Sequence, residues 1–367
     1  MEKKKKKIIV KYKNMRKFKF ILLIIGNILF ISSVCSGQEA RIGMHDPVMI
    51  KEGGKYYIFA TGNGITVWSS DDMKSWTREK PVFDAPPQWA VNIMAVHSLN
   101  DPSVPVFRLF GGNMWAPDIS FYNGQYYLYY SVSAFGKNTS CIGLVTNKTL
   151  NPSDPNFKWV DQGPVVCSRP GIDNWNAIDP NLLFGEDGYP YLIWGSFWDG
   201  LQIARLTDDL KTIHPRARPV TVASRKTDEN MENPPATGDN PVAAGGNAIE
   251  APFVIKKGNY FYFFASIDYC CRGVNSTYKM IYGRSEKITG PYLDKEGKSM
   301  RTGGGTILME GDENWYGVGH NGFATIDGKD YIVFHAYDAK DNGQSKLRIF
   351  EILWDKDGWP IVGNSVY

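Results

Sequence analysis

An all-β fold, a single five-bladed β-propeller, follows from three features of this sequence. A short motif returns five times, each return is followed by a hairpin signal, and no amphipathic helical segment of note appears. The motif reads His45-Asp46-Pro47-Val48, Trp115-Ala116-Pro117-Asp118, Ile178-Asp179-Pro180-Asn181, Glu250-Ala251-Pro252-Phe253 and His320-Asn321-Gly322-Phe323. Its proline-phase positions are 47, 117, 180, 252 and 322, so the spacing stays between 63 and 72 residues. Glu52-Gly53-Gly54-Lys55 leads into YYIFAT, Asn123-Gly124 into QYYLYYS and Asp187-Gly188 into YPYLIWGS. Lys257-Gly258-Asn259 leads into YFYFFAS, and Asp327-Gly328 into KDYIVFHAY. Gly-containing turns between short β-prone runs are a strong hairpin signal. A regular array of units, each long enough for about four strands, predicts a propeller rather than separate domains. Equivalent strand starts then converge on one end of the central axis, bringing Asp46, Asp179, Glu250 and His320 together. Repetition accounts for the glycines and aromatics but not for acids at the axis.

Residues 1–37 read as a signal peptide ahead of a propeller domain at 38–367. Lys3 to Lys7, Arg16, Lys17 and Lys19 form a basic region, and Phe20 to Val34 an apolar one. The apolar stretch is shorter than the roughly 20 residues of a spanning helix, which favours a secretory leader. Met15 is an alternative start, and small residues near Gly37 suit cleavage. Cys35 offers a lipidated N-terminus instead, the one route by which this chain would be held to a membrane. The expectation is an exported protein, periplasmic, cell-surface or extracellular. Removing residues 1–37 takes ten of the 41 basic residues and one of the 38 acidic ones, leaving 31 against 37, a net charge of −6. The basic balance belongs to the leader, and a nucleic-acid partner loses its main support.

Cys141, Cys167, Cys270 and Cys271 remain, and four cysteines allow three pairings. Adjacent Cys270 and Cys271 can bond only in a vicinal ring, and read better as two buried small apolar residues in a strand-end loop. No spacing resembles a zinc site. Residues 84–113 and 214–248, rich in Pro and Gly, read as long loops before an inner strand and as walls of a cleft.

Two or three carboxylates in a cleft flanked by aromatics are the working parts of glycoside hydrolysis. One must donate a proton to the leaving oxygen and one must be ionised. A third can keep the first protonated, because like charges disfavour ionisation. An Asp before Pro often only caps a turn, but three acids at one repeat phase are not three independent caps. Asp118 lies two places later in the repeat and equally suits a hydrogen bond between blades. From the residues alone, His320 reads as a half-buried polar residue bonding across the axis in preference to a cation ligand. Most aromatics are core. Trp115, Phe135, Trp198 and Trp315 sit at strand ends or in loops near the acids, where one or two of them can stack on sugar rings.

At these residues the chain closely resembles the arabinanases of glycoside hydrolase family 43. The motifs are HDPV at Asp46, MWAPDI at 114–119, NAIDPNL at Asp179, GSFWDGLQI at 195–203 and IEAPFV at Glu250. CCRGVNSTYKMIYGRSEKITGPYLDKEG at 270–297 and GHNGF at His320 complete them, and the pattern extends from about residue 40 to the GWP at 358–360. The 270–297 stretch resembles endo-acting 1,5-α-L-arabinanases rather than xylosidases or arabinofuranosidases. The resemblance implies an inverting mechanism with Asp46 as general base, Glu250 as general acid and Asp179 as the residue that orients the acid and tunes its pKa. It implies substrate contacts at Trp115, Phe135, Ser196 and Trp198, and a calcium ion near His320. The implied partners are arabinan, a pectin side chain, and arabino-oligosaccharides, bound by a monomer. Two departures stand out: the loops at 84–113 and 214–248 are longer than in compact members, and Asp199 stands where a small residue is expected. An exo-acting arabinofuranosidase or β-xylosidase keeps the same acids. A non-catalytic sugar-binding propeller would be marked by loss of an acid at 46, 179 or 250, and all three are present.

Overall fold

The computed structural model describes residues 41–100, 112–228, 231 and 246–367; the expected leader and Cys35 lie outside them. Five antiparallel sheets follow one another along the chain. The first is Val48–Glu52, Lys55–Ala60, Thr66–Ser70 and Thr77–Arg78. The second is Asn113–Tyr122, Gln125–Val132, Cys141–Asn147 and Val160–Cys167, with Gly62–Asn63 added beside its inner strand. The third comprises Asn181–Phe184, Pro190–Trp194, Leu201–Arg205 and Val220–Ala223. The fourth comprises Ile249–Lys257, Tyr260–Ile267, Lys279–Ser285 and Thr306–Met309. The fifth is Trp315–Ile326, Lys329–Asp338, Gln344–Trp354 and Pro360–Ser365. The five-bladed propeller expected from the repeat is therefore the fold. Its hairpins use the expected turns: Asn123-Gly124 and Asp327-Gly328 have positive φ at both residues, which a tight two-residue turn demands.

Each pair of neighbouring blades shares a slab of core. Phe59 and Val67 pack with Leu128 and Tyr130 between blades one and two. Met49 and Ile58 pack with Val333 and Ile349 between blades one and five, which closes the ring. The chain ends reinforce that closure, since the Ile42 carbonyl accepts from the Leu347 amide and the Ile42 amide donates to the Tyr367 hydroxyl. Apolar burial between sheets, rather than any shared strand, holds the circle.

The stretch expected as a loop at 84–113 contains a helix, Gln88–Asn100. Its apolar residues do not gather on one face, so no helical period was there to read. It is pinned by Ala90 and Met94 in the core and by Trp89, whose indole N–H donates to Asp161. Within 214–248, Val220–Ala223 is the outer strand of blade three, and residues 232–245 lie outside the described residues.

Both cysteine pairs are bonded: Cys141 to Cys167, and Cys270 to Cys271. Cys271 is exposed and Cys270 half-buried, so the expectation of two buried apolar thiols is corrected. The hairpin-end loop at 268–278 carries them at the surface because Ser276 and Tyr278, not the cysteines, turn inward.

Candidate active site

Five residues at the axis adopt left-handed backbone without being glycine: Asp46, Ala116, Asp179, Ala251 and His320, all with φ between 46° and 57°. Four of them directly precede the motif's proline. Proline offers no N–H to a ladder, and the strand pairing skips a step between Trp115 and Asp118 and between Glu250 and Phe253. Such bulges re-aim the flanking side chains, and each left-handed residue costs of order 1–3 kcal/mol unless its surroundings hold it.

The hold comes from the neighbouring blade. Thr61, Ser131, Ser196, Ser266 and His335 take equivalent places at or near the ends of the second strands of blades one to five. Thr61 Oγ1 accepts from the Ala116 amide (2.8 Å), Ser131 Oγ from Asp179 (3.0 Å) and Ser266 Oγ from His320 (2.9 Å). His335 Nδ1 accepts from the Asp46 amide at 3.2 Å, the link across the ring closure. Blade four differs: the Ala251 amide donates to Asp179 Oδ2 (3.0 Å), while the Ser196 hydroxyl donates to Glu250 Oε2 (2.7 Å).

This ring assembles the three acids. Asp46 Oδ1 faces the Nδ1 atoms of His320 (3.1 Å), His45 (3.2 Å) and His335 (3.5 Å). The Thr61 hydroxyl donates to its other oxygen. Burial pushes the Asp46 carboxyl up, but His320, His45 and His335 together outweigh it and hold the group well below the usual carboxylate range. Asp179 moves the opposite way, since burial and the Glu250 and Asp46 carboxylates raise it well above that range. Two carboxyl groups of one cluster are thus displaced in opposite directions. His335, fully buried beside His45, is pushed well below the usual imidazole range, first by burial.

The remaining expected residues divide. Phe135 is 78% exposed in the loop after Gln125–Val132 and presents its ring, and Trp115 is half-buried beside the axis. Ser196 is buried and serves Glu250 rather than facing the cleft. Trp198 is corrected as a stacking platform: it is 2% exposed, because left-handed Phe197 and Trp198 fold the loop back on itself. Trp315 is corrected likewise, its ring lying under the guanidinium groups of Arg348 (4.1 Å) and Arg41 (5.5 Å). Asp199 is tied to Lys226 (2.7 Å) and Thr221 (2.9 Å). Asp118 accepts from the Leu182 amide of the next blade, and burial pushes it up to about 7.

Sequence reasoning missed His45, His335, Tyr337 and Tyr278. His335 was findable, because it occupies the strand-end position where the other repeats have Ser or Thr. Tyr278 is buried against Glu250 and Asp179, and burial and those charges drive its phenol well above its ordinary value. On the same side a polar cavity opens, lined by Ser276, Tyr278, Lys279, Glu310, Glu313 and Tyr316 among others. Its two loops join Tyr260–Ile267 to Lys279–Ser285 and Thr306–Met309 to Trp315–Ile326.

The sequence pattern of glycosyl hydrolases family 43 matches residues 41–360 of this chain. The chain belongs to family 43. It is 45% identical over 334 residues to the extracellular exo-α-(1→5)-L-arabinofuranosidase of Cellvibrio japonicus (strain Ueda107), covering 91% of this chain and 90% of that protein. It is 44% identical over 321 residues to the extracellular endo-α-(1→5)-L-arabinanase 1 of Bacillus subtilis (strain 168), covering 86% and 87%. Among solved structures, the α-L-arabinanase of Cellvibrio cellulosa complexed with arabinohexaose superposes with a TM-score of 0.79 at 44% identity, covering 88% of this chain and 96% of that one. An exo-1,5-α-L-arabinanase from a bovine ruminal metagenomic library gives 0.78 at 48% identity, covering 88% and 98%.

In this family 43 chain the raised Asp179 has a consequence for stability. The native state keeps a proton that the unfolded chain releases, so Asp179 favours folding most at low pH. That contribution is lost as pH rises from the ordinary carboxylate value toward the raised one. Asp179→Asn should flatten this part of the stability–pH curve, measured by denaturant unfolding at stepped pH. An unchanged slope would place the proton elsewhere.

Proposed function

We propose that this chain hydrolyses internal α-1,5-L-arabinofuranosidic bonds of arabinan, with Asp46 as general base, Glu250 as general acid and Asp179 as the residue that orients and tunes the acid. Family 43 hydrolases invert the anomeric centre. That chemistry calls for one ionised and one protonated carboxyl group on opposite faces of the sugar, with room for water. The observation that carries the reading is the gathering of three acids at the axis, with Asp46 facing three imidazole nitrogens and Glu250 held by the Ser196 hydroxyl. Asp46, surrounded by imidazoles, is an ionised acceptor for the proton of a water. Asp179, fixed on the Ala251 amide and interacting with the Glu250 carboxylate, is placed to orient and tune that acid. Phe135 supplies a stacking face.

Export fits the extracellular relatives of Cellvibrio japonicus and Bacillus subtilis. The closed ring is complete in one copy, which suits a monomer. A calcium ion at His320 is part of the same reading. The axial cavity is lined by His320, Asn321 and the strand starts of the other blades. Asn321 is 2% exposed, and neither its amide oxygen nor its nitrogen has a hydrogen-bond partner among the described residues. An oxygen-bound ion with its waters would satisfy it, with His320 Nε2 as the nitrogen ligand. Calcium would supply fixed positive charge near Asp46. The group His45, Asp46 and His335, whose ligand atoms lie within 4.8 Å of one another, is richer in nitrogen than calcium favours.

A second reading, exo-action, is favoured by the exo-acting relatives at 45% and 48% identity. Digestion of linear arabinan with chromatography over time separates the two. Internal cleavage yields a spread of oligosaccharides early, whereas exo-action yields one short product throughout. No cleavage of arabinan at all would overturn both.

Loss of acid and loss of base should differ by substrate. A second arabinose is a poor leaving group and needs protonation, while an aryl group with a low pKa needs little. Glu250→Ala should abolish arabinan cleavage, a loss of at least ~10²-fold, yet spare much more activity on an aryl arabinofuranoside. Asp46→Ala should damage both alike; equal losses for both variants on both substrates would refute the assignment. For the ion, a chelator should lower the melting temperature of the wild type, calcium should restore it, and His320→Ala should respond to neither.

A further inference from the structure

A continuous chain of hydrogen bonds runs from the exposed Cys270–Cys271 loop to Asp46. The Cys271 amide donates to the Tyr337 hydroxyl at 2.7 Å. That hydroxyl lies 3.0 Å from His45 Nε2, and His45 Nδ1 lies 3.2 Å from Asp46 Oδ1. Tyr337 is 3% exposed, and the His45 ring packs at a tilt, 3.9 Å between centroids, against fully buried His335. That packing limits where the His45 ring can move but leaves its turn about the Cβ–Cγ bond to be set by its hydrogen bonds. The Tyr337 hydroxyl engages its far nitrogen, so that bond sets which edge meets Asp46.

We propose that Tyr337 and the Cys270–Cys271 loop are positioning elements for the general base: the disulfide-bonded loop places the Cys271 amide, the amide orients the Tyr337 hydroxyl, and the hydroxyl fixes His45 against Asp46. The inference rests on the assignment of Asp46 as the base. Several observations support the loop's part. Cys271 has left-handed backbone, φ 64°, and Gly273 follows it at φ 54°. A disulfide between adjacent residues closes a small ring that includes their peptide unit, which restricts the rotation of the Cys271 N–H. Among the loop's other fastenings are the Arg272 amide on the Ser276 hydroxyl and the Arg272 guanidinium 4.1 Å over the Tyr269 ring. Neither contact orients the Cys271 amide. The first two residues of the 270–297 stretch thus support a carboxylate more than two hundred positions earlier in the chain.

The test uses Tyr337→Phe, which keeps the ring that meets His335 edge-on at 5.4 Å and removes only the hydroxyl. On linear arabinan kcat should fall about tenfold, the loss expected for one buried hydrogen bond to a working group, with KM unchanged. Replacing both Cys270 and Cys271 by Ala should give a loss of the same kind. Combining all three changes should be no worse than Tyr337→Phe alone, because a broken chain cannot be broken twice. Reduction with a dithiol, which passes two electrons to the exposed disulfide and leaves two thiols, provides a route without mutation. It should slow the wild type and leave Tyr337→Phe unaffected. Full kcat in Tyr337→Phe, a change in KM alone, or losses that multiply would overturn the proposal while leaving the hydrolase reading intact. Should arabinan not be a substrate, the hydrolase reading fails and NMR still decides the positioning. The ¹⁵N resonance of His45 Nε2 should shift in Tyr337→Phe and in the Cys270 and Cys271 double variant. An unmoved resonance in the latter would remove the disulfide loop from the chain.

Discussion

The site depends on a hydrogen bond that each blade makes to the next. A left-handed, non-glycine residue at the axis exposes its amide toward the preceding blade, where water cannot satisfy it. Thr61, Ser131, Ser266 and His335 meet that need from the ends of the second strands. An unpaired buried N–H would cost about 1–3 kcal/mol on top of the backbone strain. The same four bonds thus stabilise the strained turns and fix the direction of the side chains those turns carry. In blade four the arrangement is redistributed, with a carboxylate taking the amide and the serine released to bind Glu250. The exception in the ring is where Glu250 sits.

Depth alone would treat all three acids alike. Their neighbours make the difference, since Asp46 is ringed by imidazoles while Asp179 faces Glu250 and apolar strand ends. Both groups are buried, yet they titrate in opposite directions because the sign of the nearby charge overrides a shared desolvation. His320 and His45, drawn from opposite ends of the chain, supply most of that sign. A third, His335, also closes the amide ring, so electrostatics and backbone support meet in a single side chain.

The fold and the three acids were legible in the sequence because a repeat reveals equivalence without contacts. Positions 47, 117, 180, 252 and 322 mark the same place in five blades, and whatever precedes them must share the axis. Side-chain direction was less legible. Trp198 and Trp315 sit beside the site in sequence, but one is folded inward by consecutive left-handed residues and the other is covered by two arginines. The helix at Gln88–Asn100 left no period to read, and the adjacent cysteines gave no sign of their exposure. Tyr337 was hidden in an aromatic run that otherwise packs between blades. Patterns report burial well; they report what a buried polar atom touches only when the repeat makes one residue type stand out.

Ring closure brings the earliest and the last-made parts of the chain together. His45 and Asp46 emerge from the ribosome before any blade exists, whereas His320 and His335 belong to the fifth. A nascent chain therefore carries Asp46 through nearly the whole of synthesis without His320 and His335, two of the imidazoles it faces in the finished ring. The axial cluster is completed only with the final blade.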